Sequence, residues 1–192
     1  MNNIRKARMF NRKASKKKSK SEQIIKALNI QPGQSIADIG SGGGFFSFLF
    51  STLVGDNGTI YTIDTNKDFL DYIKRQAHEK ALQNIQTILA TDQHIPLPKQ
   101  SVDLVFVRNV YHHLQNRITY FTHLKELLRP QARVAIIEYA PYGSPLSFHR
   151  RCGHNVPQQT IVAEMKQAGY RVVICFDFLK TQSFTIFGQG DK

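Results

Sequence analysis

The run Ile36-Ala37-Asp38-Ile39-Gly40-Ser41-Gly42-Gly43-Gly44 sets a carboxylate near the end of an apolar stretch and glycines at 40, 42 and 44. Glycine has no Cβ, so such a loop admits positive φ and lets a ligand lie against bare backbone. Nucleotide-type ligands sit where a loop of this kind turns from a strand into a helix, at the carboxyl edge of a parallel sheet. The dinucleotide fingerprint G-x-G-x-x-G would need a glycine at position 45, where the chain has Phe45. Asp38 would also repel a pyrophosphate. Asp64 lies twenty residues past Gly44, at the end of the next apolar run. From there one carboxylate can accept both hydroxyls of a ribose, each bond contributing roughly 1.5–3 kcal/mol. The structural alternatives are a glycine turn without ligand, and an Asp64 that serves only the following helix dipole.

Hydrophobic periodicity sets these residues on alternating strands and helices. A helix follows Ser21 as cap, with Ile24, Ile25 and Leu28 on one side, and Pro32-Gly33 turns into a strand at 35–39. A helix is expected at 44–54, with Phe45, Phe46, Phe48, Leu49 and Leu53 as a core face. Strands follow at 59–63 and 85–89, around an amphipathic helix at 66–80. A loop over 90–101 leads to a nearly all-apolar strand at 102–107, as expected when both faces are covered. A helix is expected at 111–128, a strand at 133–139, a helix at 158–168 and strands at 170–176 and 182–187. Only five residues join the last two strands, too few for a parallel crossover, so that pair should be antiparallel. The expected fold is α/β and Rossmann-like. It has a seven-stranded, mostly parallel sheet with an antiparallel last strand and helices on both faces.

The chain has 192 residues, 41% of them hydrophobic, which suits one ordinary globular domain. No apolar run approaches the ~18–20 residues of a membrane span, and no secretory signal is visible. Two cysteines, Cys152 and Cys175, are too few for a disulfide framework, so the expected setting is cytoplasmic. Nine of the 26 lysines and arginines fall within residues 1–20, where there is no acid, so most of the +12 net charge lies there. The expected organisation is a basic, flexible arm at 1–20 and a single domain at 21–192. Such an arm is either solvated or binds nucleic acid or an anionic surface.

Several segments together resemble class I S-adenosylmethionine-dependent methyltransferases. Asp38 followed by Gly40, Gly42 and Gly44 resembles their D/E-x-G-x-G-x-G loop. Ala90–Pro98 is similar to the segment that reads the adenine. Ser101–Leu114, with paired His112 and His113, is similar to the fourth strand and following turn, and Leu127–Pro130 to the lead into the fifth strand. The resemblance covers about residues 35–139 and is closest to the small-molecule branch that includes ubiquinone/menaquinone methyltransferase-like proteins. It implies S-adenosyl-L-methionine as cofactor. The implied binding residues are Asp38, Gly40, Ser41, Gly42, Gly44, Asp64, Thr65, Asp92, Gln93, Asn109 and Val110. Asp38 would act on the cationic amino-acid end of the cofactor, Asp64 on the ribose and Asp92 on the adenine amino group.

The implied activity is methyl transfer to an unidentified, small-molecule acceptor. The alternatives are an RNA or protein methyltransferase whose residues 5–20 bind the substrate, and a non-catalytic cofactor-binding protein. The sequence Arg108-Asn109-Val110-Tyr111 lacks the D/N-P-P-Y/F motif of exocyclic-amine methylases, and two cysteines are too few for an arsenite enzyme. Candidate catalytic residues are His112, Tyr111 and His149, with His113 as a structural residue of the helix start. Residues 140–157 follow the fifth strand, where a substrate lid belongs. The spacing His149-x-x-Cys152-x-His154 matches no standard zinc pattern, so no metal is expected.

Overall fold

The computed structural model describes residues 2–91, 94–140 and 155–190. The chain divides into two compact units, residues 1–97 and 98–192. The first holds helices α1 (Asn3–Ala14) and α2 (Ser21–Leu28), then β1 (Ser35–Ile39), α3 (Phe45–Val54), β2 (Thr59–Asp64), α4 (Lys67–Glu79) and β3 (Ile85–Leu89). Its strands run parallel, with β2 between β1 and β3. Every residue of β1 is buried, including Ser35 and Asp38. Helix α3 packs on β1 and β2, α4 on β2 and β3, and α1 on α3 and α4.

The second unit holds β4 (Val102–Arg108), α5 (Arg117–Leu124), β5 (Leu128–Tyr139), α6 (Gln158–Gln167), β6 (Tyr170–Phe176) and β7 (Gln182–Gln189). Strands β4 and β5 are parallel, and β7 runs antiparallel between β5 and β6. The strand order is β3-β2-β1-β4-β5-β7-β6, the seven-stranded, mostly parallel arrangement expected. No helix of the described residues is long and apolar enough to cross a membrane.

Four local expectations change. Residues 3–14, expected as part of a solvated arm, form helix α1, whose Ala7 is fully buried against Tyr72 and Ile73. Ile4, Ala7, Asn11 and Ala14 recur at helical spacing, which gives the basic segment one face that packs. Ser21 begins α2 but is not its cap; Lys20 occupies that place in a left-handed conformation, φ 55°. In α3 the buried line is Phe46, Phe50 and Val54, while Leu49 and Leu53 are exposed, because the core lies one step round the helix from the expected face. The single helix expected at 111–128 is instead a 3-10 turn at Tyr111–His113, then α5 and a second 3-10 turn at Lys125–Leu127. Asn116, at φ 47°, breaks the right-handed run before α5.

Candidate functional site

The glycine loop bridges β1 and α3 within the first unit. Gly40, Gly42 and Gly44 have φ of 69°, 56° and 78°, the left-handed region in which a side chain is strained. The turn is fixed by Gly40 N–H and Ser41 N–H, which both donate to the Ile63 carbonyl at 2.8 and 3.1 Å, and by Gly44 N–H donating to Ser41 O at 2.8 Å. Gly44 is the N-cap of α3 and has no side chain to cap it, so the first-turn N–H groups receive no side-chain oxygen from the cap position.

Asp64, the last residue of β2, is tied to this loop. Its Oδ2 accepts from Gly42 N–H at 3.0 Å and its Oδ1 from Asn66 N–H at 2.9 Å. Asn66 in turn caps α4 by accepting from Asp68 N–H at 3.0 Å. Burial pushes the Asp64 carboxyl above its ordinary value, outweighing the backbone hydrogen bonds from Asn66, Gly42 and Thr65 that favour the carboxylate. A carboxylate has about four lone-pair sites, so these three backbone donors still leave it capacity for a ligand hydroxyl. Asp38 is only 4% exposed, and its Oδ2 accepts the Ser47 hydroxyl at 2.5 Å. Its carboxylate thus ties the end of β1 to the first turn of α3. Ser41 Oγ is buried with no hydrogen-bond partner among the described residues, which is costly unless a ligand completes it.

These features fit the group that the resemblance implies. An orphaned hydroxyl and an uncapped helix start suit the polar amino-acid end of S-adenosylmethionine, and Asp64 suits its ribose. Asp92 and Gln93, expected at the adenine, lie outside the described residues, as does His149.

The second unit carries the other expected residues, at the carboxyl end of β4. Asn109 has φ 57°. Its N–H donates to the Ile137 carbonyl at 2.8 Å, and its side-chain oxygen accepts from Gln182 Nε2. Val110 leads into the 3-10 turn. Tyr111 departs from the expected catalytic role. Its side chain is fully buried, its ring is stacked on Phe121, and its hydroxyl donates to Glu164 at 2.7 Å. Arg117 grips the same carboxylate at 2.8 and 2.7 Å. Burial, then the Glu164 contact, pushes the Tyr111 phenol far above its ordinary value, which disfavours the phenolate. Its aromatic type and helical position favour packing between α5 and α6.

His112 has a partner that was not anticipated. Its Nδ1 lies 2.9 Å from Glu138 Oε2, and its backbone N–H donates to the same oxygen at 3.2 Å. Glu138 is fully buried near the end of β5, and its Oε1 accepts from Tyr139 N–H at 2.7 Å. With the Glu138 carboxyl oxygen as acceptor, Nδ1 is the donating nitrogen of this pair. The sequence signal was a lone acid inside the apolar run Val134–Tyr139, since a buried charge in a strand needs partners. Among the described residues no cluster suits a metal ion.

Comparison with known proteins agrees with this geometry. Residues 37–136 match the family described as "Methyltransferase domain". A demethylmenaquinone methyltransferase from a Geobacillus species is 28% identical over 61% of this chain and 50% of that protein. An arsenite methyltransferase from Halobacterium salinarum is 28% identical over 58% of this chain and 29% of that protein. The chain thus spans half or less of the length of these curated relatives. A SAM-dependent methyltransferase from Aquifex aeolicus shares the fold, with a TM-score of 0.81 at 23% identity over 88% of each chain. By its matched residues and its glycine loop, the chain belongs to the methyltransferase domain family, among the class I S-adenosylmethionine-dependent methyltransferases.

Proposed function

We propose that this chain transfers a methyl group from S-adenosylmethionine to a small-molecule acceptor. The observation that carries the reading is the Asp64 carboxylate, held by Gly42 N–H and Asn66 N–H at the end of β2. Held by backbone donors, the carboxylate is oriented by the fold, so little ordering is lost when ribose hydroxyls bind. Ser41 and the start of α3 take the amino-acid end, and Asp38 braces that start through Ser47. Asn109 and Val110 follow β4 in the family's binding segment, and Asp92 and Gln93 take the adenine.

When bound, the cofactor supplies a methyl already activated on a sulfonium. The chain then has to align donor and acceptor, a contribution of up to about 7–11 kcal/mol. His112, oriented by Glu138, is the group suited to take a proton from the acceptor, which adds ~10²–10⁴-fold where the acceptor is protic. His149 stays a second candidate on the acceptor side. Two cysteines in the whole chain support a reducing, cytoplasmic setting.

The test is to incubate the chain with methyl-labelled S-adenosylmethionine and a metabolite extract. A labelled small product that requires the chain supports the reading. Label found only in protein or RNA, or no label transferred, contradicts it.

A further inference from the structure

We propose that the outward face of α1 is a docking surface for an anionic lipid bilayer. At about 100° per residue, Ile4, Ala7, Asn11 and Ala14 share one arc of this helix. Arg5, Lys6, Arg8, Arg12 and Lys13 fill the opposite arc, about 160° wide, with Met9 among them.

The inner arc is committed. Ala7 packs against Tyr72 and Ile73 with Ile4 alongside. Asn11 Nδ2 donates to the Gly43 carbonyl at 2.7 Å, and Asn3 Nδ2 donates to Asp68 Oδ2 at 2.7 Å. The outer arc faces water: Arg5, Arg8, Arg12 and Lys13 are exposed, and so are Lys16, Lys17, Lys18 and Lys20 beyond it. Among the described residues none of these eight cations takes part in an ion pair. Residues 1–20 contain no acid to offset them. The outward arc of α1 therefore carries side-chain charge of one sign.

A bilayer suits this face better than a nucleic acid. Single strands are bound in grooves with aromatic platforms for the bases. This face is a convex rod, and its one neighbouring ring, Phe10, lies edge-on to Phe69 at 5.8 Å. Helices that read duplexes add amide and hydroxyl groups to arginine and lysine at base edges, and the outward arc has only cations and Met9. Clusters of four to eight lysines and arginines on a helix are what anionic headgroups attract. Because the apolar side of α1 is used within the protein, the helix rests on the headgroups and does not insert, so its binding is electrostatic and reversible by salt. The other side of the same helix holds Gly43, so docking sets the donor loop about one helix diameter, ~10 Å, from the bilayer.

The test is co-sedimentation of the 192-residue chain with vesicles of phosphatidylcholine alone and with about one-third phosphatidylglycerol. The anionic vesicles should hold the chain at least about tenfold more strongly at low salt, and release it at about 0.5 M salt. The triple variant Arg5→Gln, Arg8→Gln, Arg12→Gln should lose at least about tenfold of that binding. Its helical signal and its affinity for S-adenosylmethionine should stay at the wild-type level, so failure of docking and failure of the donor site are read separately. Equal binding to both kinds of vesicle, or undiminished binding by a folded triple variant, overturns the proposal. So does displacement from the vesicles by RNA at equal phosphate concentration, which would reassign the face to nucleic acid. If the variant does not fold, the lipid and salt dependence of the unaltered chain decides.

Discussion

Asn11 Nδ2 donates to the carbonyl of Gly43 at 2.7 Å, binding the first helix of the chain to the glycine loop. A Cβ at position 43 would come 2.3 Å from both Ala7 O and Asn11 Oδ1, closer than any real contact. The loop is therefore glycine-rich for two different reasons. Positions 40, 42 and 44 need left-handed backbone, and position 43 needs room for α1.

That distinction predicts a specific phenotype. Gly43→Ala should push α1 off the loop and cost about 1–3 kcal/mol, seen as a lower denaturation midpoint. Cleavage within residues 3–14 by a protease should also become faster. A wild-type midpoint with unchanged proteolysis would mean that α1 does not brace the loop.

Tyr111 is assigned to packing, so Tyr111→Phe should leave kcat within about twofold while costing about 1–3 kcal/mol from the lost hydrogen bond to Glu164. Denaturant unfolding and a methyl-transfer assay on the same sample check both halves. A large loss of kcat in a fully stable variant would restore a catalytic role.

Glu164 predicts a pH effect. Burial works against its ionisation, but hydrogen bonds from Arg117 and Tyr111, with the Arg117 charge, outweigh it and hold the carboxyl below its ordinary value. A group depressed in the folded state stabilises the protein above its unfolded pKa and gives that up as pH falls through the folded value. Glu164→Gln should therefore flatten the acid side of the stability–pH curve. A variant with the same acid slope as wild type would show that Glu164 does not carry it.

For the buried pair, Glu138→Gln keeps the shape but replaces the carboxyl that meets His112 Nδ1 with an amide. With a protic acceptor it should lower kcat by about 10²-fold or more and change the pH profile, with KM for the donor little altered. An unchanged profile would reduce Glu138 to a structural role.

Much of the fold was legible because strand and helix periods are strong where burial is one-sided or complete. Strands β1, β3 and β6 lie where alternation and apolar runs set them, and the five-residue link before β7 dictated its direction. The glycine turn was legible too, because left-handed backbone at 40, 42 and 44 asks for glycine, and Asp64 ends the apolar run of β2. What stayed hidden depends on contacts distant in sequence. Charge on the outer arc of α1 masked the spacing of Ile4, Ala7 and Asn11, whose partners lie at Gly43, Tyr72 and Ile73. Glu138 gave no local sign of which residue it would meet, and His112 became specific only once β5 brought the two together. Asn116 looked like an ordinary helix residue until its left-handed backbone broke the run.

If Asp64 and the glycine loop hold S-adenosylmethionine, calorimetric titration of wild type and Asp64→Ala with that molecule will separate the two proteins. Wild type should bind, and the variant should lose at least about 100-fold, from two hydrogen bonds of roughly 1.5–3 kcal/mol each. Because burial raises the Asp64 carboxyl, wild-type affinity should also begin to fall on acidification at a higher pH than for an ordinary aspartate. No binding by wild type, or equal affinity in a folded Asp64→Ala variant, would overturn the assignment of Asp64 to the cofactor.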